Sequence, residues 1–145
     1  MPSRVATTQW SGGLQDGSGQ VTLTSSGTGT FDVSFPRRAA DDAEGVTSPE
    51  ELIAASHSSC YSMALSNELT TAGGTVKSLV TQADVTLGPD PAGGFRLTGI
   101  KITVRGQVDG LDNDAFLKAA EAAKAGCPIS KALTGTTITL DAALA

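Results

Sequence analysis

The sequence predicts an α+β fold built on antiparallel sheets, and three observations carry that expectation. Apolar and polar residues alternate in the first third of the chain and again after residue 83, which is the period of half-buried strands. Glycine-rich turn clusters separate these stretches at hairpin spacing. The two helical patterns do not alternate one for one with the strands, so the order βββ-α-ββ-α-β fits α+β and not a doubly wound parallel sheet. The 145 residues correspond to one domain over residues 1–145, long enough to bury a core without disulfide staples.

Residues 5–10 read as a first strand. Ser11-Gly12-Gly13 and Asp16-Gly17-Ser18-Gly19 are turns, and residues 21–25 and 30–35 form a hairpin around Ser26-Gly27-Thr28-Gly29. Residues 36–47 are polar and charged and read as a long loop. Ser48-Pro49-Glu50-Glu51 is a helix start: Ser48 caps, Pro49 suits the first helical position and Glu51 completes a capping box. Gly73-Gly74 ends that helix, placing it at 49–72. Its middle, Ala54-Ala55-Ser56-His57-Ser58-Ser59-Cys60, is small and uncharged, so the helix is expected to be central and buried on most sides. Ala83, Val85 and Leu87 mark the next strand. Gly88 to Gly94 is a turn, and Phe95, Leu97, Ile100, Ile102 and Val104 mark the returning strand, whose apolar phase slips at Gly99 and signals a bulge. A second helix over 112–125 ends at Gly126. Cys127-Pro128 opens a short helical turn to Leu133, and residues 136–143 form the last strand.

Composition narrows the function classes. The formal charge is -5, and only Arg37-Arg38 places basic residues side by side. Aromatic residues make up 4% of the chain. Neither feature suits a nucleic-acid partner or an anionic membrane. No apolar run approaches the ~18 residues of a membrane span, and the N-terminal residues lack a secretory pattern, so a cytoplasmic location is expected. Two cysteines and one histidine are too few for a structural zinc site. No Gly-rich phosphate cradle leads from a strand into a helix. Neither a metal nor a cofactor is expected.

Chemistry falls to the two thiols and their neighbours. Cys60 sits in mid-helix, far from the N-terminal dipole. It is either a small core residue or a thiolate that needs a nearby cation. Cys127 precedes Pro128 at the start of a helical turn, where N–H groups can favour a thiolate. The candidate cations are Arg37 and Arg38, always protonated and suited to a bidentate carboxylate partner. Glu51 has a capping role, whereas Glu50 has no local one. Glu50 and Cys60 lie ten residues apart, ~15 Å along a straight helix. They cannot share a small site unless the helix breaks or a second chain supplies one of them, so a homodimer is the economical answer. His57 lies three residues before Cys60 and could act as its base in acyl transfer. A dimeric binding protein with inert thiols is the remaining alternative.

The stretch from Ser48-Pro49-Glu50-Glu51 through Ser56-His57-Ser58-Ser59-Cys60-Tyr61 to Leu65 resembles the signature helix of the OsmC/Ohr family. Lys124-Ala125-Gly126-Cys127-Pro128-Ile129-Ser130 resembles its second cysteine motif. The resemblance implies an OsmC-like fold, with a long central helix carrying the first cysteine, in an intertwined homodimer. It implies a thiol-dependent peroxidase acting on organic hydroperoxides and hydrogen peroxide. Cys60 would be the peroxidatic cysteine and Cys127 the resolving one, with a disulfide closing between them. Glu50 matches the glutamate that orients an arginine. Phe35-Pro36-Arg37-Arg38 places that arginine at the end of the third strand, as in the OsmC branch, with Arg38 the better match. A dithiol reductant, such as a dihydrolipoyl group, is implied as the partner that reopens the disulfide. Leu52, Ile53, Met63 and Phe35 are apolar candidates for contact with an alkyl substrate.

Overall fold

The computed structural model describes residues 1–145. It divides into two compact units, Met1–Leu52 and Ile53–Ala145. No helix is long and apolar enough to cross a membrane.

The first unit is a three-stranded antiparallel sheet in the order β1-β2-β3, with β1 at Thr7–Ser11, β2 at Ser18–Thr22 and β3 at Thr30–Val33. Gly17 closes the β1–β2 turn by donating to the Gly13 carbonyl. A Cβ at Gly17 would collide with that same oxygen, so the turn needs glycine there. The segment expected as a loop from residue 36 instead starts with a helical turn, α1 (Phe35–Arg38). Ser34 caps it through Arg37 N–H, and Pro36 suits the opening turn. The sheet buries Val21 but leaves Trp10, Leu14 and Phe31 exposed. So little covered surface does not hold a small sheet together unaided.

Helix α2 runs Pro49–Thr71. The Ser48 hydroxyl accepts from Glu51 N–H at 3.1 Å, the first half of the expected capping box. The Glu51 carboxylate instead accepts from the Thr47 hydroxyl. At the far end, Gly73 takes φ 92° and Gly74 N–H returns to the Leu69 carbonyl, a left-handed glycine stop. Along α2, His57, Tyr61, Leu65 and Leu69 recur every fourth residue and are fully buried. The opposite face, with Ser56, Ser59 and Met63, is exposed. A single chain therefore buries one stripe of this helix and not most of its sides. Its small outward residues, Ser56 and Ser59, are exposed.

The second unit continues with the long hairpin β4 (Thr75–Pro89) and β5 (Phe95–Asp109). Its register shifts between Thr86 and Leu87, where Thr98 is the extra residue opposite, one position from the expected bulge. A second shift falls between Val76 and Ser78. Helices α3 (Asn113–Gly126) and α4 (Pro128–Ala132) then carry the chain to β6 (Ile138–Leu144), which pairs parallel to β5. The sheets are thus antiparallel except at this edge. The helical crossover supplies the long connection that parallel pairing requires. Ile100, Ile102 and Val104 from β5 meet Leu65, Leu69, Phe116 and Ala120 in one core.

Phe116 lies over Gly106, where a Cβ would stand 2.8 Å from its ring. Gly106→Ala is expected to lower unfolding stability by about 1–3 kcal/mol through overpacking. Phe116→Ala should cost about 3–5 kcal/mol through the cavity it leaves. Urea titration followed by circular dichroism checks both.

Candidate active site

Chain geometry around residue 127 begins with Pro128. Proline has no N–H and restricts the residue before it to extended backbone, so α3 stops there. Cys127 takes φ -58° and ψ 124°, and its N–H still reaches the Ala123 carbonyl at 2.9 Å. That bond ends α3 while the side chain turns toward the opening of α4. Cys60, presented by α2, meets it there. The two sulfurs are 3.1 Å apart, and neither is in a disulfide. A disulfide needs ~2.05 Å, so closing the pair takes a movement of about 1 Å.

The sulfurs share a hydrogen bond but not an environment. Burial pushes the Cys60 thiol up. The contact with Cys127 adds to that, and an N–H from Ile129 only partly offsets it. Burial also works against a Cys127 thiolate. It is outweighed by the Ser130 N–H, the Cys60 thiol, the Ser130 hydroxyl and the Ile129 N–H, so Cys127 titrates below the ordinary thiol range.

His57 is fully buried, and its Nε2 lies 2.7 Å from Ser130 Oγ. Its Nδ1 has no partner. The histidine is therefore bonded to Ser130 and not to Cys60, and the Cys–His dyad that acyl transfer requires does not form. Tyr61, next to Cys60, donates its hydroxyl to the Ala120 carbonyl at 2.9 Å and ties α2 to α3. Burial, the Glu121 charge and then the Cys127 charge push its phenol up, so it stays neutral. Ser130 is the residue that sequence reasoning passed over. The available signal was a hydroxyl three positions beyond Cys127, where a helix-opening side chain faces back toward the cap.

The arginine and glutamate candidates meet within the first unit. Arg38 approaches Glu50 with Nη2 at 2.7 Å and Nε at 3.0 Å from Oε1, and Nε is also 3.2 Å from Oε2. Glu50 is only 8% exposed. Two guanidinium nitrogens on one nearly buried carboxylate fix the orientation of the arginine plane. Arg37 points elsewhere and pairs with Glu44 at 2.8 Å, where both side chains are substantially exposed. The doublet is thus resolved in favour of Arg38 as Glu50's partner. α1 accomplishes this by turning consecutive residues about 100° apart. Leu52, Ile53 and Phe35 are half-buried, whereas Met63 is exposed.

Residues 41–141 match the family model described as OsmC-like protein. The chain is 41% identical over 132 residues to Peroxiredoxin OsmC of Escherichia coli, covering 91% of this chain and 90% of that protein. Among solved structures it is similar to the organic hydroperoxide resistance protein OhrB of Bacillus subtilis. There the TM-score is 0.75 and the identity 28%, with 95% of this chain and 97% of that one covered. An organic hydroperoxide resistance protein from Elizabethkingia anophelis has the same fold at TM-score 0.80 and 24% identity, with 100% of this chain and 98% of that one covered.

Burial holds the His57 imidazole below its ordinary value of 6.5. As pH falls below that value, the unfolded chain takes up a proton that the folded chain refuses, so stability declines. His57→Gln removes the titrating group and is expected to flatten that part of the pH–stability curve. Urea unfolding across mildly acidic pH compares the two proteins, and identical slopes would contradict the expectation.

Proposed function

The chain belongs to the OsmC family, and we propose that it is a thiol-dependent peroxidase reducing organic hydroperoxides, and hydrogen peroxide as well, through Cys60 and Cys127. The observation that carries this reading is a pair of reduced sulfurs 3.1 Å apart, one from the middle of α2 and one from the junction of α3 and α4. Such a pair can hold the two electrons that cleave one O–O bond.

In the first step the Cys60 thiolate attacks the distal peroxide oxygen. The O–O bond breaks, the alkoxide leaves and takes a proton, and Cys60 becomes a sulfenic acid. In the second step the Cys127 thiolate attacks the Cys60 sulfur. The S–O bond breaks, and hydroxide departs and is protonated to water as the Cys60–Cys127 disulfide forms. A dithiol, such as a dihydrolipoyl group, then returns two electrons and two protons and is itself oxidised to a disulfide. The half-buried Leu52, Ile53 and Phe35, with Met63, suit the alkyl part of an organic substrate. A cytoplasmic location suits a thiol pair that must be reduced in each cycle.

The first step needs a Cys60 thiolate, and burial alone opposes it. Arg38, held by Glu50, supplies the opposing positive charge in this reading. Glu50 and Cys60 stand ten residues apart on one continuous helix, ~15 Å along its axis. We therefore assign the Arg38–Glu50 pair at each Cys60 to the second subunit of a homodimer. Two features support a dimer. The first unit leaves Trp10, Leu14 and Phe31 exposed, and the outward face of α2 is small and uncovered.

Cys60→Ser is expected to abolish turnover of an alkyl hydroperoxide. Treating the reduced wild-type protein with one equivalent of hydroperoxide should remove both thiols and lower the mass by two hydrogens. Survival of both thiols would overturn the peroxidase reading. Arg38→Ala and Cys60→Ser proteins, each inactive alone, should regain activity when unfolded together and refolded as mixed dimers, because one site of the two is then complete. Absence of recovery in mixed dimers shown to form would place each site within one chain.

A further inference from the structure

His57 takes no part in the mechanism above, yet it is the chain's one histidine and is fully buried. Its Nδ1 has no partner and its Nε2 lies 2.7 Å from Ser130 Oγ, so one hydrogen bond is the ring's only polar contact. That bond crosses from α2 to α4 beside the two sulfurs. On α2, His57 stands three residues before Cys60. At α4, Ser130 stands three residues after Cys127. The two crossings, Nε2 to Oγ at 2.7 Å and sulfur to sulfur at 3.1 Å, therefore join the same two segments in opposite chain sense, about one turn apart. A single crossing leaves a segment free to swing, whereas two fix it.

The α4 end of this clamp is stiff. The Cys127 carbonyl accepts from Lys131 N–H at 3.0 Å and closes the turn around Ser130, and Pro128 fixes its own φ. Ser130 is the one buried residue of α4, while Pro128, Lys131 and Ala132 are exposed. Little apolar burial holds the turn, so holding Ser130 holds Cys127. We infer that His57 is a positioning residue for disulfide closure: its hydrogen bond to Ser130 pins α4 to α2 one turn from the sulfurs, and the remaining movement of about 1 Å is a pivot about that pin. The inference rests on the peroxidase reading of Cys60 and Cys127 and deepens it by naming what sets the second step. There the Cys127 thiolate attacks the Cys60 sulfenic acid, the S–O bond breaks, and hydroxide leaves and is protonated to water. Without the pin the sulfenic acid waits longer. Its sulfur can then attack a second hydroperoxide, whose O–O bond breaks as alcohol leaves and Cys60 becomes a sulfinic acid.

Two measurements on the full chain test the pin. In the first, reduced protein receives one equivalent of an alkyl hydroperoxide. A 1,3-dione traps the Cys60 sulfenic acid, and loss of the Cys127 thiol times closure. His57→Leu and Ser130→Ala are each expected to form the sulfenic acid at the wild-type rate and to close the disulfide about tenfold more slowly, the upper range for one hydrogen bond between neutral groups. Both should also gain sulfinic acid under excess hydroperoxide. In the second, the Cys60–Cys127 couple is equilibrated with a dithiothreitol buffer, with no peroxide present. A tenfold weaker closure raises its potential by about 30 mV in either variant. A histidine that only fills the core would lower unfolding stability without moving that potential. The double variant should match Ser130→Ala, because both changes remove one bond. His57→Gln, whose amide reaches about as far as Nε2, should restore both readouts. Wild-type closure rate and potential in Ser130→Ala, or additive effects of the two changes, would overturn the inference, and Ser130→Ala decides it alone if His57→Leu does not fold. Failure of the peroxidase reading shows differently, as wild-type thiols that survive hydroperoxide, and the dithiothreitol equilibrium still tests the pin in that event.

Discussion

The approach of two sulfur atoms to 3.1 Å is the constraint on which the second unit is organised. The residues involved are 67 positions apart. Bringing them together costs the closure entropy of a long loop, which only a packed core can offset. The buried stripe of α2 does that work. His57, Tyr61, Leu65 and Leu69 share one helical face, and its lower part packs with Phe116, Ala119, Ala120 and Ala123 of α3 and with β5. The Tyr61 hydroxyl fixes α2 to the Ala120 carbonyl about two turns before the cysteine end of α3. Pro128 then stops α3 so that Cys127 faces Cys60 and does not continue round the helix. Each of these features bears on where one sulfur lies.

Proximity makes the two thiols chemically unequal. Both are desolvated, but Cys127 receives N–H and O–H donors from the start of α4, whereas Cys60 receives mainly the burden of burial. Unequal thiols at contact distance suit a two-step exchange in which each sulfur has a different part. The Arg38–Glu50 pair follows the same logic in the first unit. A nearly buried carboxylate would be costly alone, and a guanidinium with two nitrogens on it removes that cost while holding the arginine in one plane. The fold prepares charge in both places, by donors around one thiol and by a carboxylate behind one cation.

Most of the element order was legible in the sequence because its signals are local. Ser48 and Pro49 mark a helix start, Gly73 a left-handed stop and Gly126-Cys127-Pro128 a break, and each acts through its own backbone. The structure places these boundaries within a residue or two of expectation. What escaped was not local. The turn of α1 depends on Ser34 capping a segment whose charged composition reads as loop. The parallel alignment of β6 depends on a crossover and not on the strand's own pattern. The outward face of α2 is built of small residues, which read as buried because they carry no charge. Burial, however, is a property of what lies opposite.

The candidate site divides along the same line. The residues themselves stand in the sequence: two cysteines, an arginine doublet, a glutamate with no capping duty and a histidine one turn before the first cysteine. Side-chain chemistry and helical spacing were enough to single them out, and enough to show that Glu50 and Cys60 are too far apart on one helix to serve the same small site. Only the tertiary structure decided the pairings. It set Cys127 against Cys60, chose Arg38 over Arg37 for Glu50, and gave His57 to Ser130 instead of to the neighbouring thiol. The physical reason is that residue identity and local backbone preference are written along the chain. The distance between two side chains from separate elements is set by how those elements pack, and packing is a sum over contacts that no single stretch of sequence contains.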